Sequence, residues 1–289
     1  MNLVVQLWGI GNLIQTEPLL RELRKGDILV DPLRSTAELS LLFPNWKFIT
    51  ADYLQGISDH RYDDVYLCYP MDGRQFAPVA NRIHVPTWSF KKWESSESQV
   101  LLEMTHSAHW PGVPQIKIPG SVDGRGKHIA MSIGYLKNEE GWGFKHWGNE
   151  NFTWAIDLLI REGYTPVIFG SAIDWDTDGR IIAEQVKGES WEEVTELPLW
   201  GQVKYLAGCD AYLGNDTGMG HVAGALGLPS AIYTVTDRVK NQTAAPHLLQ
   251  FGREVKPPEA VSWLVEVLED GKAHKIKSKE DAKRRPRKG

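Results

Sequence analysis

The sequence predicts an α/β protein with two doubly wound domains that face a central cleft. Its 289 residues are more than one hydrophobic core usually needs. Strand-like runs alternate with helix-like patterns along the chain, which is typical of parallel sheets covered by helices. Two glycine-rich segments, GIGNLIQTEP and GNDTGMGH, each follow a predicted strand. Ligands of such folds bind at the carboxyl ends of the strands, so these two segments are where function is expected.

The first half begins with a predicted strand–helix–strand unit. Its strands are LVVQLWG and DILVD, and further strands are predicted at KFIT, DVYLCY and NRIHV. Between the first two strands, TEPLLRELRKG has the pattern of a helix. Pro18 is tolerated in a first helical turn, an apolar stripe follows, and Gly26 can end the helix.

Alternation is interrupted over residues 89 to 122, which are rich in Ser, Pro, Gly and Trp, and resumes at the strand HIAMSIG. Further strands are predicted at TPVIFG, AYLGN and SAIYTV, with helices at NFTWAIDLLIREG, at RIIAEQV and in the alanine-rich segment before SAIYTV. We therefore expect a Rossmann-like N-terminal domain over residues 1–120 and a second Rossmann-like domain over 121–270. Residues 271–289 are expected to form a basic, disordered tail.

Charge is distributed unevenly along the chain. The net charge is −5, but the tail GKAHKIKSKEDAKRRPRKG contains nine Lys or Arg residues and two acids. The rest of the chain is therefore strongly acidic, which argues against a broad surface for nucleic acid. The tail is either a solvated terminus or a weak contact for anionic lipid or nucleic acid.

Several classes of protein and site are disfavoured. No apolar run approaches the ~20 residues that span a bilayer, and the amino terminus lacks the features of a signal peptide. Cys68 and Cys209 lie in different halves without metal-ligand spacing, and no HExxH-like cluster of histidines and acids occurs. We expect a cytoplasmic protein with no metal site and no bound cofactor.

The loop GNDTGMGH has the composition of a ligand site. The amino terminus of the following helix offers N–H groups and partial positive charge, which suit a phosphate. Gly218 and Gly220 leave room for a ligand near the backbone. Asp216 would repel phosphate, so we expect it either to cap the helix or to accept hydrogen bonds from sugar hydroxyls. Thr217 and His221 can donate to a diphosphate, although a capped helix with a packed histidine explains the same residues.

Three segments resemble glycosyltransferase family 9, the heptosyltransferases. GNDTGMGHVAGALGLPSAIYT resembles the family's donor-binding segment, and KHWGNENFTWAIDLLIREGYTPVIFG is similar to its Lys-x-Trp loop, helix and next strand. GIGNLIQTEPLLRELRK is similar to its opening loop and helix. The resemblance implies a GT-B fold and metal-independent transfer, with inversion, of a sugar from a nucleotide-diphosphate donor to a hydroxyl acceptor.

The resemblance also implies roles for individual residues. Lys145 matches the lysine that contacts the donor phosphates, and Asp216 would hold donor hydroxyls. His221 and the backbone amides of the GNDTGMGH loop would stabilise the negative charge that develops on the diphosphate. The predicted donor site consists of Gly11, Lys145, Trp147, Asp174, Asp216, Thr217, Gly218, Gly220 and His221. In it Asp174 is placed near the nucleoside, and the tryptophans near residues 142 to 147 are expected to pack on sugar.

One position departs from the family. Its opening motif has an aspartate, the proposed general base, where this chain has Asn12, and an amide cannot take a proton at neutral pH. By residue type alone the other candidate bases are Glu17, Asp72, His106 and His109. We rank Asp72 first, because it follows the strand DVYLCY and should emerge at the cleft. Asn12, Asp72 and Lys145 are thus the predicted catalytic positions.

Three functions remain open from the sequence. The first is a transferase that acts on a lipid-linked or cell-surface glycan, and the second glycosylates a modified nucleic-acid base with the help of the basic tail. The third is a catalytically silent nucleotide-sugar binder, which Asn12 suggests. A nucleotide-sugar epimerase has the same architecture, so fold alone does not exclude it. All of these hypotheses require the loop at Gly11 and Asn12 to lie opposite the loop from Asp216 to His221.

Overall fold

The computed structural model describes residues 1–31, 36–50, 62–69, 71–86, 97–105, 113–120, 124, 126–134, 145–235 and 244–284. It contains a 5-stranded and a 6-stranded sheet, both built from parallel pairs. The prediction of an α/β protein with two doubly wound sheets is therefore confirmed. The sheets span residues 2–84 and 128–251, and the exact domain limits stay a prediction.

The first sheet has the order β3-β2-β1-β4-β5. Its strands are β1 (Asn2–Gln6), β2 (Gly26–Val30), β3 (Trp46–Thr50), β4 (Tyr62–Leu67) and β5 (Ala80–His84). The apolar runs of the central strands are buried on both faces, as is typical of parallel sheets with helices on each side. Strand order reverses between β1 and β4, which places a topological switch point at their carboxyl ends.

The helices of the first half are α1 (Ile10–Gln15), α2 (Glu17–Leu23) and α3 (Glu97–Glu103), with 3₁₀ helices at Thr36–Leu42 and Gly73–Phe76. The predicted helix corresponds to α2, with Pro18 in its first turn. Arg24, at φ 70°, ends this helix instead of Gly26. Gly26 opens β2 at φ 157°, where an added Cβ would lie 2.4 Å from the Asn2 carbonyl oxygen.

The second sheet has the order β11-β10-β9-β6-β7-β8. Its strands are β6 (His128–Ser132), β7 (Thr165–Phe169), β8 (Glu192–Glu193), β9 (Ala211–Asn215), β10 (Ser230–Tyr233) and β11 (Leu248–Phe251). The strands predicted from HIAMSIG, TPVIFG, AYLGN and SAIYTV are all present. The order reverses between β6 and β9, which gives this sheet a switch point of its own.

The helices of the second half are α4 (Asn149–Arg161), α5 (Ala172–Asp174), α6 (Arg180–Gln185), α7 (Leu199–Leu206), α8 (Gly218–Ala225) and α9 (Pro257–Arg284), with a π-helical turn at Trp175–Gly179. In α4 the residues at helical spacing, Phe152, Ala155, Ile156 and Leu159, are fully buried. Periodicity alone therefore predicts the face of α4 that covers the sheet.

The basic tail differs from the expectation of disorder. The structure continues α9 through Arg284, so residues 271–284 are helical, and residues 285–289 lie outside the described part. Contact of the tail with anionic lipid or nucleic acid stays a prediction. Within the described residues, no helix combines the length and the hydrophobicity needed to cross a bilayer.

The two halves of the chain pack against each other through a common hydrophobic cluster. One cluster of buried apolar residues includes Val4 and Leu13 from the first half together with Val222 and Ala223 from α8. The backbone N–H of Ile116, in the segment that connects the sheets, donates to the Ala225 carbonyl oxygen over 3.0 Å. Helices α1 and α8 therefore meet at a closely packed interface, which brings the two switch points together.

Candidate active site

The candidate site lies where α1 and α8 meet. An added Cβ on Gly11 would lie 2.7 Å from Cδ2 of His221, and one on Gly218 would lie 2.8 Å from Cβ of Ile10. The loop at Gly11 and Asn12 thus faces the loop from Asp216 to His221, which confirms that expectation.

The same contacts correct the role given to two glycines. Gly218 is needed because α1 packs against it, and no larger residue fits there without moving Ile10. An added Cβ on Gly220 would lie 3.2 Å from Ile232 Cδ1 and 3.3 Å from Tyr212 Cε1, so this glycine faces the core. Both glycines allow close packing of protein against protein, where we expected room for a ligand.

Lys145 and Asp216 form the charged centre of the site. Lys145 Nζ lies 3.2 Å from Asp216 Oδ2, and their side chains are 15% and 7% exposed. His221 Nε2 lies 3.8 Å from Asp216 Oδ1. Burial lowers the pKa of His221, Lys145 lowers it further, and Asp216 acts in the opposite direction. His221 is therefore a neutral imidazole near pH 7, able to donate one hydrogen bond and to accept another.

Thr217 occupies the N-cap of α8 without a side-chain capping bond. Its hydroxyl lies 3.2 Å from Ser132 Oγ and 3.3 Å from Tyr212 Oη. Burial raises the pKa of Tyr212 to about 12, so this group is a neutral phenol. Because Thr217 occupies the cap, Asp216 does not cap α8, and its role as an acceptor for ligand hydroxyls stays a prediction.

Asn215 was missed from the sequence, although it connects the loops of this site. Its side-chain amide donates to the carbonyl oxygens of Ile133 over 2.8 Å and Gly134 over 3.1 Å, and its oxygen accepts from the Trp147 backbone N–H over 3.0 Å. The side chain is fully buried. Asn215 therefore ties the loop that carries Lys145 to the carboxyl ends of β6 and β9. A polar residue that ends a buried strand was the available signal.

Trp147 lies in the core, which corrects the expectation that it packs on sugar. Its side chain is 5% exposed, and its ring meets Phe152 and Phe251 edge-on, with centroids 5.4 Å and 5.1 Å away. Trp142, near it in sequence, lies outside the described residues. Since apolar contact with its neighbours occupies the Trp147 ring, this side chain positions the Lys145 loop.

Asp174 forms a capping box with Ser171 at the start of α5. Its carboxylate also lies over Gly134, where an added Cβ would be 2.6 Å from Oδ2. This location is at the carboxyl end of β6, on the same edge of the sheet as Asp216. A contact with the nucleoside stays a prediction.

A cavity of about 330 Å³ lies beside the Lys145 loop, at the carboxyl ends of β10 and β11. Aromatic, amide and basic side chains line it: His146, Trp147, Asn151, Tyr233, Arg253, Val255 and Lys256. Positive charge beside an aromatic wall suits the base and phosphates of a nucleotide.

Asn12 contacts a carboxylate that sequence reasoning missed. Its Nδ2 donates to Glu97 Oε1 over 2.9 Å and Oε2 over 3.1 Å, and also to the Tyr69 hydroxyl. The Tyr69 hydroxyl donates to Glu97 Oε1 over 3.1 Å. Glu97 is fully buried. Burial, and then the charge of Glu97, raise the pKa of Tyr69 above its ordinary range.

The other candidate bases lie elsewhere. Asp72 is exposed, caps the 3₁₀ helix Gly73–Phe76 and pairs with Arg74 at 2.7 Å, and these bonds lower its pKa. The carboxylate in contact with Asn12 is that of Glu97, and the ranking of Asp72 as the first candidate base stays a prediction. Glu17 accepts from the Gln115 backbone N–H over 2.9 Å, and burial raises its pKa. His106 and His109 lie outside the described residues.

Comparison with known proteins matches the second half of the chain to a family. Residues 131–260 match the model of glycosyltransferase family 9 (heptosyltransferase). Lipopolysaccharide heptosyltransferase 2 of Salmonella typhimurium LT2 and that of Escherichia coli K12 are each 34% identical over 100 residues, or 34% of this chain. That match spans 29% of the relatives' own length.

Solved structures extend the similarity to nearly the whole chain. A structure of E. coli ADP-heptose lps heptosyltransferase II has a TM-score of 0.75 and 18% identity, and the match covers 94% of this chain and 99% of that one. E. coli heptosyltransferase WaaC with ADP has a TM-score of 0.69 and 16% identity, with coverage of 92% and 99%. The fold is therefore GT-B.

Proposed function

We propose that this chain, a GT-B protein that is heptosyltransferase-like in its second half, is a glycosyltransferase. It transfers a sugar from a nucleotide-diphosphate donor to a hydroxyl of a glycan acceptor. The observation that carries the proposal is the cluster of Lys145, Asp216 and His221 at the start of α8, in which His221 packs against Gly11, the residue before Asn12. By analogy with the relatives, the donor is ADP-heptose and the acceptor is lipopolysaccharide.

The donor diphosphate is placed between Lys145 and the amino terminus of α8. Breaking the bond between sugar and diphosphate leaves negative charge on the diphosphate, and a fixed cation with oriented N–H groups stabilises that charge. Lys145 is mostly buried, so its attraction is screened less than that of a surface lysine. These groups are available without a metal ion, and this supports a metal-independent reaction.

Asp216 and His221 are placed on the sugar side of the diphosphate. A carboxylate accepts hydrogen bonds from sugar hydroxyls but repels phosphate oxygens, which gives it an orienting role. Neutral His221 donates one hydrogen bond without adding a second positive charge. With the sugar held between α8 and Asn12, an acceptor that approaches from the Asn12 side attacks the face opposite the leaving diphosphate, and the product has inverted configuration.

The cavity next to the Lys145 loop is proposed to take the nucleoside. Arg253 and Lys256 line it together with Tyr233, and Trp147 connects it to the loop that carries Lys145. Cys68 and Cys209 are buried and not joined in a disulfide, as is usual where thiols stay reduced, and this supports the cytoplasmic location that we propose.

Calorimetric titration of ADP, UDP and GDP into the protein tests this proposal, with and without EDTA. We expect saturable binding of ADP that EDTA does not change, and a loss of about tenfold to a hundredfold in affinity in Lys145→Ala, since hydrogen bonds to charged groups contribute about 1.5–3 kcal/mol. Lys204→Ala is the matched control, because Lys204 is an exposed lysine on α7.

The outcomes separate the candidate functions. Consumption of ADP-heptose in the presence of a lipopolysaccharide that lacks heptose supports a transferase, whereas binding without consumption indicates a silent nucleotide-sugar binder. Absence of binding to all three nucleotides contradicts the proposal.

A further inference from the structure

The reaction proposed above needs a group that accepts the acceptor's proton, and Asn12 cannot serve. The structure places a fully buried carboxylate, Glu97, in direct contact with the Asn12 amide. Glu97 comes from α3, far along the chain from Asn12, so only the fold brings the two together. Tyr69, which follows β4 at the switch point of the first sheet, completes a triangle of hydrogen bonds with them.

We propose that Tyr69 and Glu97 together replace the missing general base, with Glu97 as the final proton acceptor. This inference rests on the proposed function. Tyr69 is the catalytic residue that touches the acceptor hydroxyl. Glu97 does not touch substrate, and it acts through Tyr69 as a positioning residue that also receives the proton.

The directions of the hydrogen bonds support this assignment. The Asn12 amide donates both to the Tyr69 oxygen and to Glu97, so the proton of Tyr69 points at Glu97 Oε1. Asn12 and Tyr69 therefore both donate to Glu97, and hydrogen bonds donated to a carboxylate favour its ionised form. Trp8 stacks on the Tyr69 ring, with centroids 4.6 Å apart, and holds the phenol in place.

Exposure also fits a relay. Glu97 is sealed from solvent, whereas Tyr69 and Asn12 are only partly buried, and Asn12 follows Gly11, which packs against His221 of α8. The pKa of Tyr69 is raised by burial and by Glu97, so the phenol keeps its proton in the resting protein and is not a base by itself. A proton can therefore enter the triangle only as another moves to the carboxylate.

The acceptor oxygen forms a bond to the anomeric carbon, and the bond between that carbon and the diphosphate oxygen breaks, with its electron pair leaving on the nucleoside diphosphate. The acceptor proton passes to Tyr69 Oη while the Tyr69 proton passes to Glu97 Oε1. Glu97 ends as a neutral acid and returns its proton to solvent through Tyr69 after product release.

Three variants test the relay, with ADP-heptose as donor and a heptose-free lipopolysaccharide as acceptor. General-base groups contribute about 10²–10⁴-fold, so we expect Glu97→Gln and Tyr69→Phe each to lower kcat at least a hundredfold while KM and the Kd for ADP change little. Glu97→Gln keeps the size of the side chain, removes its charge and replaces one acceptor oxygen by a donor nitrogen. Glu103→Gln, an exposed position on the same helix, is the matched control.

The exchange variant N12D/E97Q provides a rescue. It keeps one carboxylate and one amide in contact but moves the carboxylate to position 12, so we expect kcat at least tenfold above that of Glu97→Gln alone. Because an aspartate at position 12 is itself the family's proposed base, this gain shows that a carboxylate is needed at this contact, and the loss of kcat in Glu97→Gln assigns it to Glu97. Wild-type kcat in Glu97→Gln would overturn the proposal.

A second measurement does not need turnover and separates this inference from the proposed function. In protein labelled with ¹³C at the glutamate carboxyl carbon, the resonance that Glu97→Gln removes identifies Glu97. We expect its chemical shift at pH 7 to be that of a carboxylate, and to move in Tyr69→Phe. A neutral acid at pH 7 would overturn the relay alone, whereas failure to bind ADP would overturn the proposed function and the relay with it.

Discussion

The Asp216 carboxylate lies between the Lys145 ammonium group and the neutral imidazole of His221. This location makes the proposed contact of Asp216 with the donor sugar testable. The carboxylate pairs with Lys145 and would lie close to the donor diphosphate. In Asp216→Asn we expect the affinity for ADP to stay within about threefold or to rise, because a charge that repels phosphate is gone. The affinity for ADP-heptose should fall about tenfold to a hundredfold, since hydrogen bonds from hydroxyls to a charged acceptor are lost.

Parallel titrations of ADP and ADP-heptose measure the difference. Asp210→Asn is a suitable control for a general effect of removing an acid, because Asp210 lies before β9, at the opposite end of the strand. Equal losses of affinity for ADP and ADP-heptose would indicate that Asp216 contacts the diphosphate and not the sugar, and would contradict our assignment.

His221 makes stability depend on pH. Its pKa is lowered from the ordinary value of 6.5, chiefly by burial, while the charges of Asp216 and Lys145 act on it in opposite directions. A depressed pKa means that the unfolded chain binds a proton more readily than the folded protein does. The contribution of neutral His221 to the free energy of unfolding is therefore present above pH 6.5 and is lost as the pH falls below it.

We expect the free energy of unfolding to decline more steeply between pH 7 and pH 5 in the wild type than in His221→Gln. Urea denaturation at several pH values measures this, and the difference between the two proteins isolates His221 from the carboxylates. Parallel curves for the two proteins would show that His221 is not buried as a neutral group.

Sequence reasoning worked at the residue scale where local motifs carry the chemistry. Lys145, Asp216 and His221 were predicted from two short segments, and the fold brings them together. Glu97 could not be found in this way, because its importance depends on a contact with Asn12, 85 residues away in sequence. Gly218 was assigned to ligand access because its actual neighbour, Ile10, is also far away in sequence, so no local pattern shows the contact.

At the scale of elements, the packing of α1 against α8 constrains both helices. An added Cβ at Gly11 would lie 2.7 Å from the ring of His221. Overpacking of this kind costs about 1–3 kcal/mol, so we expect Gly11→Ala to lower the free energy of unfolding by that amount and to weaken ADP binding by displacing His221. Urea denaturation and calorimetry measure the two effects.

Gly9→Ala is the control in the same loop, because nothing lies within 4 Å of an added Cβ there and its φ of −67° suits alanine. It should change stability much less than Gly11→Ala. If both variants behave alike, flexibility of the loop, and not contact with His221, determines the effect.

Strands were easier to predict than helices in this chain. Buried parallel strands are short, continuous apolar runs, and the corresponding runs in both halves are strands in the structure. Helix α1 was expected as part of a glycine-rich loop, because Gly9 and Gly11 obscure its pattern. Helix α9 extends into the basic tail, where charge was taken as a sign of disorder. Residue composition therefore predicted which segments are buried better than it predicted where helices begin and end.

On the scale of the whole molecule, the two halves are not independent. The shared hydrophobic cluster includes residues from both sheets, and the Ile116 to Ala225 hydrogen bond joins the connecting segment to α8. The proposed donor-binding groups lie on one side of this interface and the proposed proton relay on the other. Since the proposed reaction needs both, we expect stable packing of α1 against α8 to maintain the site as well as the fold.

We therefore expect the protein to unfold in one cooperative transition, with calorimetric and van't Hoff enthalpies equal. Gly218→Val should separate the halves, because its branched side chain starts from a Cβ only 2.8 Å from that of Ile10 and forces α1 away from α8. Differential scanning calorimetry should then give two transitions, or a calorimetric enthalpy above the van't Hoff value. Two transitions already in the wild type would mean that the shared cluster does not couple the sheets, and that the site is assembled only when ligand draws them together.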